Sequence, residues 1–108
     1  DKVFIPVFGR EDENLIQYAQ KLIHNSGAQV TILDASGYVK NNPTLKEFIR
    51  FIEQNAPNHI ELLSERKIET DFLKSQDLML ISIESWEKLI DSQSVWLNHT
   101  PSTLVLKS

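Results

Sequence analysis

Gly9 and Arg10 follow directly on an apolar run, Val3-Phe4-Ile5-Pro6-Val7-Phe8, and are the first residues of the chain placed to do chemistry. A glycine just beyond a strand lets backbone amides approach an anion, and a neighbouring guanidinium supplies charge. Arg10 is therefore a candidate for holding an anionic ligand; its plainer use is a surface pairing with Glu11, Asp12 or Glu13. That acidic run offers the hard oxygens a divalent cation favours. Three acids at a helix start also complement the positive end of the helix, and no metal site is expected. Asp34 closes a second apolar run, where doubly wound folds often place a ribose-binding acid. Without a phosphate loop, a turn-forming role with Ser36 and Gly37 is the favoured reading of Asp34. A fourth run, Leu78-Met79-Leu80-Ile81-Ser82-Ile83, leads into Glu84 and Ser85. If the first and fourth runs are neighbouring strands, one crevice is lined by Phe8, Gly9, Arg10, Ser82, Glu84 and Ser85.

What the chain lacks narrows the chemistry further. Its three glycines, Gly9, Gly27 and Gly37, all fall in the first third, so no glycine-rich loop follows the fourth run. Loops that grip phosphates aim bare amides inward without interfering Cβ atoms, which is why they are rich in glycine. No cysteine is present, which excludes disulfides, thiolate nucleophiles and cysteine-ligated zinc. His24, His59 and His99 share no ligand spacing, and a pH sensor at His24 competes with simple capping of a helix end. Glu84, Glu87 and Asp91 fit a solvated helix face better than acid–base catalysis. The chain is not read as an enzyme. Its formal charge of −4 disfavours a nucleic-acid partner, which needs clustered Lys and Arg.

The elements that must position these residues follow from periodicity. At 108 residues, 41% of them hydrophobic, the chain makes one domain with a single core. Leu15, Ile16, Ala19, Leu22 and Ile23 recur at helical spacing, with Asp12 as N-cap and Gly27 just past the end. Gln29-Val30-Thr31-Ile32-Leu33 is a strand. Asn42-Pro43 opens a helix with the stripe Leu45, Phe48, Ile49 and Ile52, in which Thr44 and Glu47 are spaced as a capping box. Ile60-Glu61-Leu62-Leu63 reads as a charged edge strand, and Phe72 and Leu73 lie on a short helix. The fourth run is apolar enough to be a central strand. Trp86, Leu89 and Ile90, then Val95, Trp96 and Leu97, mark one helix or two, with helix expected over 85–97. Thr103-Leu104-Val105-Leu106 is the last strand, an exposed edge with little but Lys107 to discourage pairing. The alternation predicts a three-layer, doubly wound, mostly parallel α/β sheet, and with the order 3-2-1-4-5 its reversal falls between the first and fourth strands. Ligands in such sheets bind beyond the strand carboxyl ends, where the order reverses.

Residues 3–10 resemble the first strand of the universal stress protein family, where an apolar strand runs into Asp-Gly-Ser. Asp34-Ala35-Ser36 after the second strand, the segment Gln76-Asp77-Leu78-Met79-Leu80-Ile81-Ser82, and the ending His99-Thr100-Pro101-Ser102-Thr103-Leu104-Val105-Leu106 follow the same family order. The departures bear on ligand binding. ATP-binding members carry an aspartate where this chain has Phe8. They also carry a glycine-rich loop after the fourth strand, where this chain reads Ile83-Glu84-Ser85-Trp86-Glu87-Lys88. Ser94 is a remnant of that loop's closing serine. Phosphates would meet Glu84 and Glu87 there, so ATP or AMP in the usual pose is disfavoured and no cofactor is expected. The resemblance also implies a homodimer, paired antiparallel along Thr103, Leu104, Val105 and Leu106.

The Ile-Pro-Val opening, the missing nucleotide loop and a chain that begins at Asp1 are similar to the cytosolic tails of bacterial monovalent-cation/proton antiporters. That likeness implies a fragment of a longer membrane protein on the cytoplasmic side of the inner membrane. Its role would be regulation or assembly of Na+ or K+ exchange for protons, with the transmembrane portion of the same chain as partner. The alternative is a stand-alone cytoplasmic protein that binds a nucleotide or other anion in the crevice through Arg10.

Overall fold

The computed structural model of this chain describes residues 1–64, 70–91 and 101–106. Five strands, β1 (Lys2–Val7), β2 (Gln29–Asp34), β3 (Ile60–Leu63), β4 (Leu78–Ser82) and β5 (Ser102–Leu106), form one parallel sheet of order β3-β2-β1-β4-β5. Helices α1 (Glu13–Ser26), α2 (Pro43–Asn55), α3 (Thr70–Ser75) and α4 (Ile83–Asp91) connect them, and a short 3-10 turn (Arg10–Asp12) links β1 to α1. This is the doubly wound α/β architecture that the alternation predicts, with its order reversal between β1 and β4.

Side chains alternate across the sheet and so feed two cores. Val3, Ile5, Val7, Val30, Ile32 and Leu80 meet the apolar stripes of α1 and α2 on one face. Phe4, Leu33, Met79 and Ile81 meet Leu73 of α3 and Leu89 of α4 on the other. There the rings of Phe4 and Phe72 pack edge to face, with centroids 5.4 Å apart. Each fully buried side chain of this size contributes about 1.5–3 kcal/mol. Trp86 is half-buried against the second core.

Register opens the crevice. β1 pairs with β2 along its whole length, from Lys2↔Gln29 to Val7↔Asp34. Its ladder with β4 holds only Val3↔Leu78 and Phe4↔Met79. Backbone groups of successive strand residues point to opposite neighbours. The Lys2 carbonyl accepts from Asp77 on the β4 side, while the Val7 carbonyl accepts from Ala35 on the β2 side. Pro6 therefore faces β4, and having no N–H it has nothing to donate there. The two strands part beyond Phe4.

Local chemistry moves two predicted boundaries. The fourth strand stops at Ser82, and helix begins at Ile83 rather than Ser85, because the Ser82 hydroxyl accepts the Ser85 N–H at 3.2 Å as an N-cap does. Helix α2 is capped by Asn42, whose Oδ1 accepts the Leu45 N–H at 3.1 Å, and Thr44 lies exposed inside the helix. Pro43 holds Asn42 in extended backbone, the N-cap conformation, so the cap falls two residues before the expected box. Gly27 ends α1 as predicted, at φ +67° with its N–H on the Ile23 carbonyl. The expected helix over Val95, Trp96 and Leu97, and the residues Ser94, His99, Thr100 and Lys107, lie outside the described residues. Among the described residues no helix is long and apolar enough to cross a membrane.

The cap assignment sets an expectation for stability. Asn42→Ala should cost about 1 kcal/mol in urea unfolding, whereas Thr44→Ala should stay within about 0.5 kcal/mol of the natural chain.

Candidate functional site

The gap between the carboxyl ends of β1 and β4 holds the side chain of Asp12, which is 0% exposed. Its position follows from the 3-10 turn. The Asp12 N–H donates to the Gly9 carbonyl at 3.0 Å, and the turn throws the carboxylate back over the end of β1. Oδ2 accepts the backbone N–H of Phe8 at 2.7 Å and of Gly9 at 3.3 Å. Oδ1 accepts the Ser82 hydroxyl at 2.5 Å. The Ser85 hydroxyl lies 2.8 Å from Oδ2 and 3.0 Å from Oδ1. A carboxylate has about four acceptor sites, and four donors converge on this one. Ser82 takes the Ser85 N–H on its oxygen and spends its own proton on Asp12, so each hydroxyl has a defined role. Both serines are buried.

The acids of the run Glu11-Asp12-Glu13 tie β4, α4 and the segment after β2 to this edge. Glu11 Oε1 accepts from Lys88 Nζ of α4 at 2.6 Å. Glu13 accepts from the Tyr38 hydroxyl, in the segment after β2. Sequence reading took the three acids as complements to a helix end; the structure gives each a partner far along the chain. The Ser36 hydroxyl adds a further tie, donating to the Phe8 carbonyl at 2.6 Å. Phe8 is thus held at its N–H by Asp12 and at its carbonyl by Ser36.

Of the residues read as ligand-binding, the structure gathers Phe8, Gly9 and Ser82 around Asp12. Glu84 is half-buried on the first turn of α4, and Arg10 is exposed at the mouth. Arg10 pairs with no carboxylate among the described residues. Asp34 stands apart from this group. Its buried carboxylate accepts the N–H groups of Val39 at 3.0 Å and Lys40 at 2.8 Å, which matches its turn-forming reading. No group of three acidic or histidine side chains among the described residues is arranged to hold a metal ion. Asp12 is the functional residue that sequence reasoning missed. The signal was a proline in a central strand, which forecasts an unpaired edge needing a partner.

No protein-family model matches this chain, and no curated protein matches it in sequence. Among the solved structures that match it in three dimensions are two universal stress proteins. One is the universal stress protein from Archaeoglobus fulgidus in complex with dAMP, at TM-score 0.54 and 15% identity, covering 98% of this chain and 97% of that one. The other is a universal stress protein from Archaeoglobus fulgidus, at TM-score 0.52 and 18% identity, covering 98% of this chain and 93% of that one. The fold is that of a universal stress protein. At the order reversal of this universal-stress-protein fold, the present chain places a side chain of its own.

The charge pair at the rim adds a pH dependence. The Lys88 ammonium, by hydrogen bond first, holds the Glu11 carboxyl below its ordinary value of 4.5, with partial burial opposing it. Glu11 reciprocally raises Lys88 above 10.5. The Glu11 contribution is therefore fully present above pH 4.5 and is lost as pH falls through its lower folded value. The Lys88 contribution is fully present below pH 10.5 and is lost as pH rises through its higher folded value. Because Lys88 is largely exposed, the pair is worth less than about 1 kcal/mol. Lowering the pH from about 6 to about 3.5 should cost the natural chain more stability than Lys88→Met, by less than about 1 kcal/mol in urea titrations.

Proposed function

We propose that this chain is a non-catalytic universal-stress-type domain that binds a small molecule, a nucleotide or another anion-bearing ligand, at the rim of the β1/β4 crevice. The position of Arg10 carries this reading: a guanidinium, exposed and without a carboxylate partner among the described residues, at the mouth of the sheet's switch point. The structural neighbour in complex with dAMP supports it, since that protein holds a nucleotide on the same topology. The absence of catalysis is argued from access. Ser82 and Ser85 are buried and their hydroxyls are committed to Asp12, so neither presents an oxygen to a substrate. ATP in the deep pose is disfavoured because α4 starts directly after β4, with no loop to wrap a phosphate. On this reading the protein is cytoplasmic and needs no resident cofactor.

A second reading is favoured by the same filled crevice. A domain whose inner pocket is occupied by its own side chain is suited to act through association. It would be the regulatory or assembly tail of a bacterial Na+ or K+/proton antiporter, on the cytoplasmic side of the inner membrane, with the transmembrane part of the same chain as partner. The coding sequence upstream of Asp1 separates the two readings, since an antiporter requires several spans of about 20 apolar residues.

Both readings include a homodimer along β5. This strand has β4 on one side and, among the described residues, no strand on the other, and Leu104 and Val105 are 44% and 36% exposed. A second copy paired antiparallel along Thr103, Leu104, Val105 and Leu106 would satisfy the open backbone groups.

Two outcomes follow. AMP at millimolar concentration should raise the melting temperature, and Arg10→Ala should weaken binding about tenfold by calorimetry, the loss of one charge-assisted hydrogen bond. No response from the natural chain would remove the ligand reading. Val105→Lys should sediment as a monomer where the natural chain is a dimer; a natural chain that stays monomeric at high concentration would remove the β5 pairing.

A further inference from the structure

We infer that Asp12 is a tethered anion: its carboxylate fills the inner subsite of the crevice and makes the natural chain reject external phosphate or carboxylate there. This deepens the proposed ligand reading and rests on it only for how the native ligand is oriented. Two consecutive amides, those of Phe8 and Gly9, and two hydroxyls, those of Ser82 and Ser85, aim at one point beside the first turn of α4. Donors arranged this way, at a strand end and a helix start, have the chemistry of an oxyanion cradle. Here the cradle is filled from within. The carboxylate is 0% exposed and takes up all four donors, so none remains for an incoming group.

Charge reinforces the exclusion. Lys88 pairs with Glu11 at this edge, and its charge already interacts with Glu11, Asp12 and Glu84 together. An external anion at the inner subsite would join three carboxylates sharing one ammonium. A ligand of the rim site therefore enters with an uncharged portion inward and turns its charge toward Arg10.

The test removes the tether. In Asp12→Ala the four donors face an empty space, so the melting temperature should fall by several degrees, and formate or inorganic phosphate should restore it saturably. Formamide, with the same shape and no charge, should not. In the natural chain, the amide resonances of Phe8, Gly9 and Ser85 should stay in place under the same formate and phosphate titrations. In the variant they should move with one common affinity. If Asp12→Ala does not fold, Asp12→Ser serves in its place, since it leaves room for an anion and keeps one hydroxyl in the turn. Shifts confined to the Arg10 rim leave the inference standing; Phe8 or Ser85 amides of the natural chain that shift with phosphate would overturn it. So would a variant stabilised no more by formate than by formamide. Failure of AMP to bind the natural chain would remove the rim ligand and leave the tethered anion standing; failure of the anions to rescue would do the reverse.

Discussion

One buried carboxylate binds the carboxyl edge of this domain together. An ionised group taken out of water costs several kcal/mol unless its hydrogen bonds are replaced. Asp12 has its replacements in full, from the backbone of β1 and from two serines at the β4–α4 junction. The arrangement begins with Pro6. Because the proline cannot donate toward β4, the ladder ends at Phe4 and Met79, and the strands part widely enough for a side chain to enter. Asp12 then supplies, between β1 and β4, the contacts that continued strand pairing would have made. Losing it would leave buried donors unpaired, at about 1–3 kcal/mol each.

The neighbouring acids extend the same principle. Glu11 reaches α4 and Glu13 reaches the segment after β2, so three successive residues fasten three separate parts of the fold to the end of β1. These ties differ in strength for a physical reason. Lys88 of the Glu11–Lys88 pair is largely exposed and its charge is screened, whereas the Asp12 network is buried and its members support one another. The carboxyl edge of the sheet is thus braced from within, and Arg10, which pairs with no carboxylate among the described residues, lies outside the brace.

The opposite requirement governs the two ends of the sheet. β3 is short and turns the charged Glu61 outward, which discourages further pairing. β5 instead exposes Leu104 and Val105 along its length. The two edge strands thus differ in residue type, a difference already legible in the sequence.

The sequence by itself determined the architecture. Apolar runs of strand length, alternating with helical stripes, led to the five strands, the helices between them and the Gly27 helix end, because these depend on local periodicity. That the sheet feeds two cores, where one was expected, came from the structure. The turn-forming role of Asp34 was legible from Ser36 and Gly37 beside it, whereas its burial and its Val39 and Lys40 donors came from the structure. Local competition hid smaller features. Asn42 outbid Thr44 as a cap once Pro43 held it extended, and Ser82 started α4 early by accepting from Ser85. Only the tertiary structure decided the role of Asp12. Its serine partners lie 70 and 73 residues away, and nothing local distinguishes a carboxylate that folds inward from one that faces water. Periodicity reports which face of an element is buried; which polar groups meet inside is settled by the crossing of distant strands.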